Sequence, residues 1–130
     1  MTIDVATREP DIAVVELSGD MDLYSSNSLK EAIVELWERG SRRLVIDLSH
    51  LGYLDSSGVG VLLYVYSSSQ KRGTQVYFAG AQGSVMKVIE LTKLTGFLPL
   101  ATTVDQAVSA LTPAGDENAE NLFVQVPAPT

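Results

Sequence analysis

Ile12 to Leu17 (IAVVEL) is a short β-branched run closed by Gly19, and ahead of it Ile3 and Val5 alternate with polar residues up to a turn at Pro10-Asp11. Alternation on both sides of a turn predicts a β-hairpin. From Ser28 to Trp37 the period changes, with Leu29, Ile33, Leu36 and Trp37 at i, i+4, i+7 and i+8. Ser28 and Glu31 are spaced as a capping box and Gly40 stands as a stop, so a helix with one buried face is expected. Leu44 to Leu48 (LVIDL) predicts a buried strand, Ser49 to Leu54 a loop, and Val59, Leu62, Leu63 and Tyr66 a second helix ending before Gly73. Val76 to Ala79 predicts a strand, Gly83 to Lys93 a helix with Val85, Val88, Ile89 and Thr92 on one face, and Leu98-Pro99-Leu100 a short edge strand. Val104, Ala107, Val108 and Leu111 repeat the helical spacing behind a Thr103/Gln106 cap. Strands alternating with helices give an α/β class: a mixed β-sheet with an N-terminal hairpin and about four crossover or packing helices.

Length changes this picture little, since 130 residues make one domain of ordinary size. The expected division is a domain over 1–112 and a tail over 113–130, which holds three of the five prolines, three acids and no base. Its apolar residues Leu122, Phe123, Val124 and Val126 could dock on a sheet edge. Charge excludes more. Sixteen acids against nine bases give a net of −7, which repels phosphate backbones and argues against direct nucleic-acid binding. No cysteine is present, which removes disulfides, thiolate metal sites and a Cys nucleophile. The single His50 removes His-rich metal sites, and no metal or cofactor is expected. The charged N-terminus lacks an apolar signal run and no stretch reaches a membrane span, so a soluble cytoplasmic protein is expected.

The chemistry concentrates in Leu54-Asp55-Ser56-Ser57-Gly58-Val59-Gly60-Val61-Leu62. A loop after a parallel strand reaches the carboxyl edge of the sheet, where helix N-termini present free N–H groups. One Asp or Ser is explained as an N-cap. Gly58 and Gly60 are not, because glycine within a helix costs about 1 kcal/mol against alanine. Close helix–sheet packing and the approach of a second backbone or nucleotide explain them equally well. Val61, Tyr64 and Val65 are apolar off the main stripe, so the helix is either sandwiched inside the fold or docks a partner through its outer face. For a small domain with helices outside a sheet, docking through Gly58, Gly60, Val61 and Val65 is the expectation.

A serine hydrolase would need His50 as its base and has no Gly-x-Ser-x-Gly elbow; Gly58-Val-Gly60 also lacks the rest of a dinucleotide or P-loop motif. Weak nucleotide binding at the loop is left open. Asp20 and Asp22 are read as turn and cap residues, Trp37 as core, and Glu31, Glu35 and Glu38 as a solvated helix face.

The strand, the LDSSGVGVL loop and the apolar helix after it resemble the signature of STAS domains, the fold shared by anti-sigma factor antagonists and sulphate transporter tails. Gly19-Asp20-Met21-Asp22 is similar to the family's Gly-Glu-Leu-Asp segment, departing at Asp20 and Met21, and the element order fits over residues 2–111. The tail lies outside the pattern. In free-standing antagonists the serine after the motif's Asp is phosphorylated by the anti-sigma factor, itself a protein kinase. The resemblance therefore implies Ser56 as acceptor, with Asp55, Ser57, Gly58 and Asp22 as neighbours. It implies a non-enzymatic module that sequesters an anti-sigma factor serine kinase, freeing a sigma factor, and is reset by a matching phosphatase. The alternative with the same fold is a STAS subunit of a transport complex or of a stress-signalling scaffold.

Overall fold

The computed structural model describes residues 1–112, and the expected tail lies outside the described residues. The hairpin forms from β1 (Thr2–Arg8) and β2 (Ile12–Met21), paired antiparallel from Thr2 opposite Ser18 to Arg8 opposite Ile12. Then follow α1 (Leu23–Glu38), β3 (Arg43–Leu54), α2 (Ser56–Arg72), β4 (Gln75–Ala79), α3 (Gly83–Leu91), β5 (Leu100–Ala101) and α4 (Val104–Leu111). The strands lie in the order β1-β2-β3-β4-β5, and every pairing after the hairpin is parallel. The mixed sheet and four helices agree with the class expected from the periodicity.

Alternation along the strands divides the core. Ala13, Val15 and Leu17 of β2 and Leu44, Ile46 and Leu48 of β3 meet the buried stripes of α1 (Leu29, Ile33, Trp37), α2 (Val59, Leu62, Val65) and α3 (Val85, Ile89). Ile12, Val14 and Val45 point the other way and are covered by Ala107, Val108 and Leu111 of α4. Trp37 is core, as expected, and Glu31, Glu35 and Glu38 are exposed.

Two boundaries differ from the pattern. The N-cap of α1 stands six residues before Ser28: it is Asp22, accepting from the Tyr24 and Ser25 amides, and Ser25 completes the capping box. Leu23 and Tyr24 of that first turn are exposed, so no apolar periodicity announced it. β3 runs through the expected loop to Leu54, with register shifts opposite Glu16/Ser18 and Gly19/Asp20 that break its alternation.

The expected docking valines are also corrected. Val61 is 9% exposed and Val65 is fully buried, because α2 packs on β3 and β4 beneath it and on α1 beside it. A helix with two contact surfaces needs a wider apolar arc than one lying on a sheet alone. The sandwiched reading holds for these two residues.

Candidate functional site

β2 and β3 run parallel and end together, Met21 opposite Leu54, so Asp22 and Asp55 emerge as neighbours at the carboxyl edge. Each caps the helix that follows. Oδ1 of Asp55 accepts the Ser57 amide at 2.9 Å, the Gly58 amide at 3.1 Å and the Ser57 hydroxyl at 2.6 Å. Those donors, Ser57's hydroxyl foremost, hold the Asp55 carboxyl below its usual range, although the nearby charge of Asp22 acts the other way. The Ser25 amide and hydroxyl lower Asp22 likewise. Both groups are carboxylates at neutral pH.

This cap separates the two serines. Ser57 is half-buried with its hydroxyl committed to Asp55, whereas Ser56, the first residue of α2, is exposed and its hydroxyl enters none of the hydrogen bonds recorded among the described residues. The phase of the helix start decides this.

Gly58 is buried directly beneath. A Cβ there would stand 2.3 Å from Leu54 Cδ1 and 3.1 Å from Met21 Sδ, so the bare backbone lets the head of α2 rest on the ends of β2 and β3. Of the two readings left equal, close packing accounts for Gly58. Gly60 is exposed, with nothing within 4 Å of its would-be Cβ, and packing does not account for it.

Large apolar side chains do ring this edge, but they are not those of α2. Leu23 is 64% exposed, Tyr24 85% and Tyr53 49%. Leu23 and Tyr24 follow the Asp22 cap, and Tyr53 lies three residues before Ser56 on the strand end facing Asp20. Exposed aromatic and aliphatic side chains beside polar caps are the composition of a protein-docking surface. Sequence reasoning missed them; the signal was the two apolar residues after Asp22, outside any buried stripe.

An exposed hydroxyl without a base can receive a phosphoryl group from an external kinase but cannot act as a nucleophile unaided. His50, the chain's single histidine, lies instead beside Ser49 Oγ at 3.3 Å and Glu16 at 3.6 Å. Clefts of about 470, 260 and 250 Å³ lie along α1 and around Arg42, and none is lined by residues 55–58. No helix among the described residues is long and apolar enough to cross a membrane.

Comparison with known proteins adds a family. The model of the STAS domain matches residues 4–107. The anti-sigma-B factor antagonist of Bacillus subtilis (strain 168) is 28% identical over 108 residues, covering 83% of this chain and 97% of that protein. The anti-sigma-B factor antagonist of Listeria monocytogenes is 25% identical over 100 residues, 77% of this chain and 88% of that protein. The crystal structure of an anti-sigma factor antagonist from Mycobacterium paratuberculosis superposes with a TM-score of 0.76 at 30% identity, over 85% of this chain and 92% of that one.

Proposed function

This chain belongs to the STAS domain family, and within it we propose that the protein is an anti-sigma factor antagonist switched by phosphorylation of Ser56. It is a binding and regulatory protein rather than an enzyme, and its partner is an anti-sigma factor. The finer reading is that this partner is a serine kinase. Unmodified, the antagonist holds the kinase and releases a sigma factor; phosphorylated, it lets the kinase go until a phosphatase resets it. Such exchange takes place in the cytoplasm and involves no direct contact with nucleic acid. Residues 1–112 form the working domain, with residues 113–130 an appended acidic tail.

The observation that carries this reading is the contrast within Ser56-Ser57: one hydroxyl exposed and unengaged, the other locked on Asp55 at 2.6 Å. Phosphate on Ser56 adds about 1.5–2 negative charges. Asp55 already occupies the Ser57 and Gly58 amides that would otherwise receive it. The new dianion therefore stands beside the Asp55 and Asp22 carboxylates, on an edge flanked by Leu23, Tyr24 and Tyr53. A partner packed there meets repulsion and desolvation of about 3–4 kcal/mol, enough to weaken binding more than 100-fold. The fold has no reason to change, since the phosphate stays on the solvent side of α2.

Incubation with the cognate anti-sigma factor and ATP, followed by intact-mass analysis, tests the acceptor. One phosphate is expected on the parent and on Ser57→Ala, and none on Ser56→Ala. Phosphate on Ser56→Ala but not on Ser57→Ala would overturn the assignment, and co-purification with a membrane transport complex in place of a kinase would favour the rival reading.

A further inference from the structure

Away from the Ser56 edge, three titratable side chains far apart in sequence converge on the opposite face of the sheet from α2. Glu16 and Asp47 are register partners on β2 and β3, so they leave the sheet on the face that Val14 and Val45 share with α4. Like charges placed side by side repel, and Asp47 is only 5% exposed, where a carboxylate without a counter-charge is costly. Among the described residues neither acid meets a lysine or arginine: the ion pairs of those cations are Arg8–Asp105 and Arg39–Glu35, and Glu16 has the His50 imidazole beside it at 3.6 Å. Ser49 donates its amide at 3.0 Å and its hydroxyl at 2.7 Å to Asp47, both to Oδ1, and no recorded hydrogen bond reaches Oδ2.

His50 joins this pair through an irregularity. Glu16 faces Asp47 but Ser18 faces His50, so β3 carries one extra residue at that point, and residues an odd number apart come to one face. Bulges of this kind re-aim side chains. The ligand atoms of Glu16, Asp47 and His50 consequently all lie within 4.8 Å of one another.

We propose that Glu16, Asp47 and His50 form a divalent-cation site of the zinc class, with three protein ligands and a fourth position open to water. One imidazole with two carboxylates suits zinc, whereas calcium and magnesium take oxygen donors alone. Bonds of about 2.0–2.2 Å require ligand atoms to close to about 3.3–3.6 Å of each other. The Glu16 and His50 side chains, 45% and 63% exposed, are free to rotate by that amount, while Asp47 is held by Ser49 as the fixed ligand. The cation neutralises the buried acid and ties β2 to β3 at the first register shift, upstream of the two caps that frame Ser56.

The single histidine makes the test direct, because its ring resonances need no assignment. Zinc chloride is titrated into metal-stripped protein while the His50 imidazole signals are followed, with cobalt(II) absorption in the visible as the signature of a tetrahedral site. One equivalent is expected to bind, moving the His50 ring and the amides around Glu16 and Asp47. His50→Gln and Glu16→Gln should each weaken zinc at least tenfold with an unchanged circular dichroism spectrum, and magnesium should bind at least tenfold more weakly than zinc. His50 signals unmoved at millimolar zinc, a Glu16→Gln variant that binds as well as the parent, or equal affinity for magnesium would each overturn the site.

Discussion

Replacing Gly58 by alanine should leave the domain no more stable, and at the upper end of the cost less so, although the same change at Gly60 should raise its stability. Both glycines lie in the first turns of α2, and in a helix alanine is favoured over glycine by about 1 kcal/mol. At Gly60 nothing stands within 4 Å of the new methyl, so most of that gain, about 0.5–1 kcal/mol, is realised. At Gly58 the methyl would lie 2.3 Å from Leu54 Cδ1 and 3.2 Å from Met21 Cγ. Leu54 and Met21 are 2% and 0% exposed, so neither can swing into solvent. Overpacking of this kind costs about 1–3 kcal/mol, which cancels or exceeds the helical gain. The two variants should therefore differ by about 1–3 kcal/mol, read as separated urea midpoints with equal slopes. A Gly58→Ala protein as stable as Gly60→Ala would refute the view that a bare backbone seats α2 on the strand ends and so fixes where Ser56 stands.

Val65→Lys should destabilise the fold by more than about 2 kcal/mol in the same assay, because it puts an unpaired ammonium among core side chains. Tyr24→Ala removes an 85% exposed ring, and should change stability by less than about 0.5 kcal/mol while weakening anti-sigma factor binding at least tenfold by calorimetry. Acid unfolding should report the two caps. Asp22 and Asp55 have lowered pKa values in the fold, so their stabilisation is complete above the unfolded value of about 3.9 and is lost as pH falls through the lower folded values. Asp55→Asn should flatten that acid limb in a pH series of thermal melts.

The apolar runs IAVVEL and LVIDL were enough to locate two strands, because each is buried and regular there, but that they lie side by side and parallel is visible only in the fold. The stripe Leu29, Ile33, Trp37 located α1 but not its start, since periodicity reports burial, and the first turn carries Leu23 and Tyr24 outward. Ser49 to Leu54 looked like a loop because register shifts disrupt the alternation by which a strand is recognised. At the site, Asp55 and the serines were legible as a cap, while the choice between Ser56 and Ser57 as the free hydroxyl depends on helix phase. Val61 and Val65 misled because a helix packed against both a sheet and another helix looks, in sequence, like one with a spare apolar face. Glu16, Asp47 and His50 have no local pattern at all; only register brings them together.

The affinity of the anti-sigma factor for two forms of this protein, unmodified and phosphorylated on Ser56, decides whether Ser56 is the switch. A switch at Ser56 requires a dissociation constant at least 100-fold larger for the phosphorylated form, about 3 kcal/mol, with matching circular dichroism spectra and melting temperatures within a few degrees. Equal affinities for two equally folded forms would contradict it.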